Sequence, residues 1–419
     1  MRPTVVAGLD IGSSKTAVVI AEVDGDAQQR AQVKILGVGQ ARTTGIRREI
    51  VTDIEATTEA VRKAVKEAEL MAGVKVDRLH TGIAGEHIHA WPSNGVVAVG
   101  RTHGSRDQEV TAADVERVNE VARAVPIPAD RELIHAIPQE YIVDAQDGIR
   151  DPVGMAAMRL EAEVFIVTGS GSAAQNIRKS VTRAGYQVAE LVLEPIASSL
   201  AVMSDDEKEI GTALVELGGG TTDVAVFHER KIRHLASLPW GGATVTNDLA
   251  KGLSLPYAEA QRAKERWGSA RADLVNPNET FEIPGPAQGQ TRHVARELLA
   301  HIIEQRLDEI FGLVAAELER SGLADQLGGG IVLTGGGASL AGIVELAERS
   351  FAAPVRVGVP GDGLGGLADS VRRPKFATAA GLVIYGSRRL INDTQEGTAS
   401  GPYVSGALRR MKDWLADFF

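Results

Sequence analysis

The chain reads as an α/β protein of two domains, with duplicated halves closing on one shared ligand. Three observations predict this. The length, 419 residues, exceeds what one small core accommodates. Short apolar, β-branched runs alternate with stretches of helical period. Above all, Asp10-Ile11-Gly12-Ser13-Ser14-Lys15-Thr16 and Glu216-Leu217-Gly218-Gly219-Gly220-Thr221-Thr222 repeat one pattern about 200 residues apart. Each has an apolar strand, a carboxylate, an apolar residue, a glycine-rich turn, a threonine and a second apolar strand.

Taken in order, Thr4 to Asp10 and Lys15 to Val23 predict a first β-hairpin. A helix is expected over Asp53 to Met71, stopped by Gly73, and another near Ala112 to Ala124, ending before Pro126. Glu163 to Thr168 reads as a strand and Ser172 to Ala184 as a helix. Ile210 to Phe227 predicts the second hairpin, followed by helices at Tyr257 to Trp267 and His293 to Ser321. Strand Ile331 to Thr334, helix Leu340 to Ser350, a glycine-rich loop at Val359 to Gly366 and a last helix at Phe376 to Leu390 complete the body. Residues 391–404, polar and unpatterned, have the composition of a linker.

Composition narrows the function. A formal charge of −10 disfavours a nucleic-acid protein, which needs a basic face for phosphates. With no cysteine, disulfides, thiolate metal sites and cysteine nucleophiles are absent together. The N-terminus lacks the pattern of a signal peptide, and no apolar run reaches the roughly 18 residues needed to span a bilayer. Membrane contact is therefore expected to be peripheral.

Two facing glycine turns can hold a polyphosphate, because backbone N–H groups approach an anion that a Cβ would keep away. Ser13, Ser14, Thr16, Thr221 and Thr222 add hydroxyls and Lys15 a cation, around Gly12, Gly218, Gly219 and Gly220. Asp10 and Glu216, ending the incoming strands, are placed to hold a hydrated Mg²⁺.

At these residues the chain resembles the actin, Hsp70 and sugar-kinase ATPases. Leu193 to Ser198 resembles their first connecting helix, with Glu194 where a polar side chain orients the attacking water. Gly330 to Leu340 resembles the adenosine motif, with Gly335, Gly336 and Gly337 against the nucleoside, and Lys375 to Tyr385 the second connecting helix. Ile134 to Tyr141, continuing to Met155, resembles FtsA, the bacterial cell-division family. That resemblance implies an actin-like (ribonuclease-H-like) fold, ATP with Mg²⁺, and at most slow hydrolysis involving Glu194, Asp10 and Glu216. It implies subdomains at 1–81, 163–194 and 372–390 (1A), 82–162 (inserted, 1C), 195–242 and 322–371 (2A) and 243–321 (2B). It further implies polymerisation, contact with other division proteins, and a site for the FtsZ C-terminal tail, with Arg306 matching a basic position there. The family usually has Asp where Glu216 stands, and Glu-x-x-Lys where Gln261 and Lys264 stand. Lys264 carries over as a ribose contact; Gln261 lacks the charge, with Glu259 nearby.

The C-terminal stretch 405–419 is amphipathic. Leu408, Met411, Trp414, Leu415, Phe418 and Phe419 share one helical arc, with Arg409, Arg410 and Lys412 beside it for anionic headgroups. Partial burial of six such side chains grosses on the order of 5–9 kcal/mol, from which ordering and association remove several. One helix then binds weakly and an oligomer strongly. The expected protein is an adaptor that tethers FtsZ to the cytoplasmic face of the membrane at the division site. A metabolite or sugar kinase, or a pilus-assembly adaptor of the same fold, is the alternative. Thr168 to Ala174 also makes a lone G-x-G-x-x-A match, and His87 and His89 a lone pair without a third ligand; neither is expected to bind cofactor or metal.

Overall fold

The computed structural model describes residues 4–24, 32–100, 108–285 and 290–397. Strands β1 (Thr4–Ile11) and β2 (Lys15–Asp24) form the first expected hairpin, with Asp10 opposite Ala17. β3 (Gln32–Arg42) extends it as a meander. Two short strands, β4 (Ile46–Arg47) and β5 (Ile50–Val51), precede helix α1 (Ile54–Ala72). Gly73 closes the helix in a left-handed conformation, the stop that the sequence predicts, and Asp53, expected as its first residue, instead caps it by accepting from the Ala56 N–H. β6 (Arg78–Ile83) then returns parallel to β1.

A separate antiparallel sheet follows, built from β7 (His89–Ala98), β8 (Arg131–Val143), β9 (Gln146–Ile149) and β10 (Arg159–Ser170), with α2 (Ala112–Arg123) packed on it. Its own core includes Val118, Tyr141, Leu160 and Ile166, and the Asn119 amide donates to the Tyr141 hydroxyl at 2.7 Å. The chain re-enters the first sheet through α3 (Gly171–Ala184) and β11 (Gln187–Leu193). Helices α4 (Glu194–Val202) and α5 (Asp205–Ile210) lead to the second half.

That half repeats the first. β12 (Thr212–Leu217), β13 (Thr222–His228) and β14 (Lys231–Leu238) form the meander, with Glu216 opposite Asp223. Next come α6 (Gly242–Gly252), α7 (Tyr257–Trp267), a hairpin of β15 (Thr280–Pro284) and β16 (Thr291–Ala295), and α8 (Arg296–Arg320). β17 (Ile331–Thr334), α9 (Ile343–Phe351), β18 (Val355–Val357), β19 (Leu364–Gly366) and α10 (Ala377–Gly397) end the described chain. The strand orders β3-β2-β1-β6-β11 and β14-β13-β12-β17-β18 are equivalent, each a meander followed by two parallel additions.

Both sheets are covered on both faces, which is why their strands read as continuous apolar runs. Val18 and Ile20 pack under α1 and α3, while Ala17, Val19 and Ala21 pack with Val383 of α10. In the second sheet Val215, Leu217 and Val224 face α6 to α9, while Leu214, Ala225 and Phe227 face α4 and α10. Helices α4 and α10 thus lie between the two sheets, where a cleft opens.

Several expected boundaries shift. The helix expected from His293 begins at Arg296, because Thr291–Ala295 pairs with β15 and turns Val294 into the core beside Phe281 and Ile283. The helix expected from Leu340 begins at Ile343, after Gly342 at φ 73. Ile210 ends α5, whose Ser204–Glu207 capping box was not read from the sequence, and the second hairpin starts at Thr212. The glycine-rich loop contributes β19 to the edge of the first sheet. α10 runs to Gly397, into the expected linker. The amphipathic stretch lies outside the described residues.

Candidate functional site

The two glycine turns close in the same way: the Gly12 N–H donates to the Lys15 carbonyl at 3.0 Å, and the Gly218 N–H to the Thr221 carbonyl at 2.9 Å. They then meet face to face. A Cβ on Gly219 would lie 2.9 Å from the Ser14 hydroxyl, and one on Gly220 would run into the Ser13 hydroxyl, so only bare backbone fits. Behind them the Lys15 ammonium sits 2.8 Å from Asp10 Oδ2, and Thr16 and Thr43 share a buried hydroxyl bond at 2.8 Å. The Thr222 hydroxyl turns away, donating to the Trp240 carbonyl at 2.7 Å.

At the other end, Gly335 follows β17 with φ 82, its backbone against Leu217, and Gly336 and Gly337 continue the same wall. Lys264 of α7 donates to the Gly242 carbonyl (2.7 Å) and the Thr246 hydroxyl (2.8 Å), and burial pulls its ammonium down to about 8. Gln261 accepts from Thr246 at 2.5 Å, and Glu259 is engaged by Arg262. Both loops, this wall and Lys264 line one cleft of about 1360 Å³. A glycine cradle with one lysine at its rim and a roomy end beside it suits a polyphosphate carrying a larger group.

Glu216, expected as a metal-water ligand, lines the cleft with Asp10. Its two oxygens accept from the Thr378 hydroxyl of α10 (2.6 Å) and the Ser198 hydroxyl of α4 (2.9 Å). Asp10 keeps one oxygen on Lys15. Among the described residues no cluster of His, Asp and Glu has metal-ligand geometry. His87 sits in the turn after β6, accepting from the Ser170 N–H at 3.4 Å, and shares no strand face with His89. Arg306 is already paired, 2.5 Å from both Asp248 and Glu309, so an acidic peptide must compete with these. Thr168 to Ala174 lies on β10 and α3, away from the cleft lining.

The fold adds two carboxylates that the sequence did not single out, Glu49 and Asp223. Glu49 accepts from Ser13, and Asp223 from the Thr221 hydroxyl at 2.9 Å. With Asp10, Glu194 and Glu216 they make a buried acidic lining. Burial first, then neighbouring like charges, pushes Glu49 up to about 8 and Glu194 well above the carboxylate range. Burial likewise raises Glu216 to about 7 and Asp223 to about 6. Between the unfolded carboxylate pKa and these values the folded chain holds more protons than the unfolded one, so stability falls as pH rises. Burial lowers His80 to about 4 and His135 to about 3, so the unfolded chain holds the extra protons below about pH 6.5 and stability falls on the acid side as well. We expect melting temperature to fall from about pH 6.5 to pH 8.5, and Glu49→Gln, which removes the acid raised to about 8, to flatten that slope in a thermal-shift series. An unchanged slope would assign it to other groups.

Comparison with known proteins follows the same lines. Residues 213–381 match the family model described as cell division protein FtsA, and residues 85–168 that of the SHS2 domain inserted in FtsA. The chain is 42% identical over 419 residues to cell division protein FtsA of Pseudomonas aeruginosa, covering 99% of this chain and 98% of that protein. It is 35% identical over 425 residues to that of Escherichia coli, covering 99% and 98%. Among solved structures, a PilM–PilN type IV pilus biogenesis complex superposes with TM-score 0.63 at 16% identity, covering 91% of this chain and 98% of that one. ADP-bound MreB5 of Spiroplasma citri gives 0.55 at 13%, covering 94% and 99%. These likenesses show the expected actin-like fold, with an inserted SHS2 domain in place. At such identity the pilus structure speaks for fold alone, while the full-length relatives set aside the metabolite-kinase and pilus alternatives.

Proposed function

Because the chain belongs to the FtsA family of cell-division proteins, we propose that it is an ATP-binding, polymerising adaptor that tethers the FtsZ ring to the cytoplasmic face of the membrane. The observation that carries the nucleotide reading is the pair of opposed glycine turns with the Lys15 ammonium beside them on Asp10. Backbone N–H groups of 13–14 and 219–220 and the hydroxyls of Ser13 and Ser14 receive the phosphates, while the N–H groups of Gly12 and Gly218 and the Thr221 hydroxyl hold the turns in shape. The ribose lies by Lys264 and Gln261, and the base against Gly335–Gly337. Mg²⁺, held through water at Asp10, would neutralise phosphate charge. Glu194, at the first position of α4, faces this end and orients water. The chain's subdomains are 1–81 with 163–194 and 372–390, the inserted 82–162, 195–242 with 322–371, and 243–321.

No helix among the described residues is long and apolar enough to cross a membrane. The anchor in this reading is the amphipathic stretch 405–419, whose single apolar arc has Leu408, Met411, Trp414, Leu415, Phe418 and Phe419 entering the interface and Arg409, Arg410 and Lys412 meeting anionic lipid. The FtsZ tail is received on the 243–321 region, where Arg306 would exchange Asp248 or Glu309 for an acidic partner. The deciding experiment is vesicle flotation on anionic liposomes, comparing the full chain with one ending at Gly397, which keeps α10 whole. Only the full chain should float, and more of it with Mg-ATP. Equal flotation of both forms would place the membrane contact in the body, and flotation of neither would make the tail a docking segment.

A further inference from the structure

The turn between β4 and β5 is built against the phosphate loops. Arg48 and Glu49 both adopt left-handed backbone, φ 48 and 60, a region that favours glycine and asparagine. Glu49 is nonetheless buried. Its Oε1 accepts from the Ser13 N–H (3.3 Å) and the Ser13 hydroxyl (2.9 Å), while its own N–H donates to Ser13 Oγ at 3.1 Å. A carboxyl group of the chain itself therefore sits on a backbone donor of the first glycine loop.

The order of contacts along the cleft says which donor this is. Gly242, beside Lys264, donates to the Gly218 carbonyl at 2.9 Å; Gly219 faces Ser14; Gly220 faces Ser13 and the Arg48 N–H. Ser13 is thus the loop residue farthest from the nucleoside end marked by Lys264. A polyphosphate laid along the loops brings its terminal phosphate there. A carboxyl oxygen and a phosphate oxygen cannot both take this one pair of buried donors, the Ser13 N–H and hydroxyl.

We propose that Glu49 sets the preference between nucleoside di- and triphosphate: a terminal phosphate must displace it from Ser13, whereas a diphosphate leaves the Arg48–Glu49 turn seated. This rests on the nucleotide reading above. Release moves the turn tip only, since the Thr52 and Asp53 N–H groups hold its base on the Gly45 carbonyl at 2.8 and 3.1 Å. It also withdraws the Arg48 guanidinium from the Trp240 ring, 5.8 Å below it, which gives an optical reporter.

The test is equilibrium titration of the full chain with ADP and with ATPγS, for wild type and Glu49→Ala. If the displaced turn is about 10% populated, removing its carboxyl should tighten ATPγS about tenfold while ADP changes by less than about twofold. An unchanged ratio of the two affinities, with both nucleotides bound, overturns the role of Glu49. No binding of either nucleotide to wild type overturns the nucleotide reading instead. Should Glu49→Ala fail to fold, Trp240 alone decides, in a chain with Trp91, Trp267 and Trp414 changed to Phe. Its emission should shift with ATPγS and not with ADP, and equal responses to both reject the proposal.

Discussion

Gly381→Ala should lower the melting temperature by roughly 4–6 °C, a loss on the order of 3–5 kcal/mol for a chain of this size. Gly381 lies where α10 crosses α4, and a methyl placed there runs into the carbonyl of Ala197, with the Ser198 N–H at 3.0 Å. Backbone on both sides cannot yield by a rotamer change, so the helices must separate. The same crossing carries a polar bridge. Glu216 receives one hydroxyl from each helix, Ser198 and Thr378, and separation stretches both bonds at a buried carboxyl. Gly312→Ala is the control: that position in α8 has open space around its Cβ direction, and alanine there should hold or raise stability. If Gly381→Ala melted with wild type, the two helices would not be in the close contact described here.

That crossing also shows what was legible in the sequence. The hairpins stood out because a glycine run between apolar strands, preceded by a carboxylate, is a local signal, and it recurs. Helix α1 stood out because Asp53, the apolar spacing and Gly73 all lie within one segment. The inserted sheet was reached through family resemblance, since its strands carry no motif chemistry of their own.

What stayed hidden depends on contacts between distant segments. Glu49 lies in Arg47-Arg48-Glu49-Ile50, a stretch with no pattern, and its partner Ser13 is 36 residues away. Asp223 adjoins the second glycine turn, yet an isolated acid at the start of an apolar strand gives no hint of the Thr221 bond that holds it. Its place in the repeat suggests the Glu216 side chain as a metal-water ligand. Its bonds to Ser198 and Thr378 required knowing which helices pass behind the strand. The end of β16, from His293 to Ala295, merges with the expected helix because a short run of alternating pattern abuts a longer helical one.

Glu194→Gln should reduce ATP turnover by about 10²–10⁴-fold while leaving nucleotide affinity within severalfold of wild type. Glu194 is the first residue of α4, buried in the cleft wall, and the Leu193 N–H just before it is fixed on His135 at 3.0 Å. Burial, and after it the charges of Glu49, Asp10, Glu216 and Asp223, hold its carboxyl well above the ordinary range. A group with raised proton affinity is a stronger acceptor for a proton leaving water than an exposed glutamate, and a cation at Asp10 would return it to the ionised form that accepts. Glutamine keeps the volume and can still hydrogen-bond, but takes no proton. Wild-type turnover should therefore rise with pH as Glu194 deprotonates, whereas the variant's residual rate should not follow that rise. Phosphate release under single-turnover conditions, measured across pH on both proteins, separates the two roles. A variant that is slow but keeps the wild-type pH profile means Glu194 only positions its neighbours. One as fast as wild type removes it from the reaction and returns the search for a base to Glu49 and Asp223, the other acids that the fold gathers at this end of the cleft.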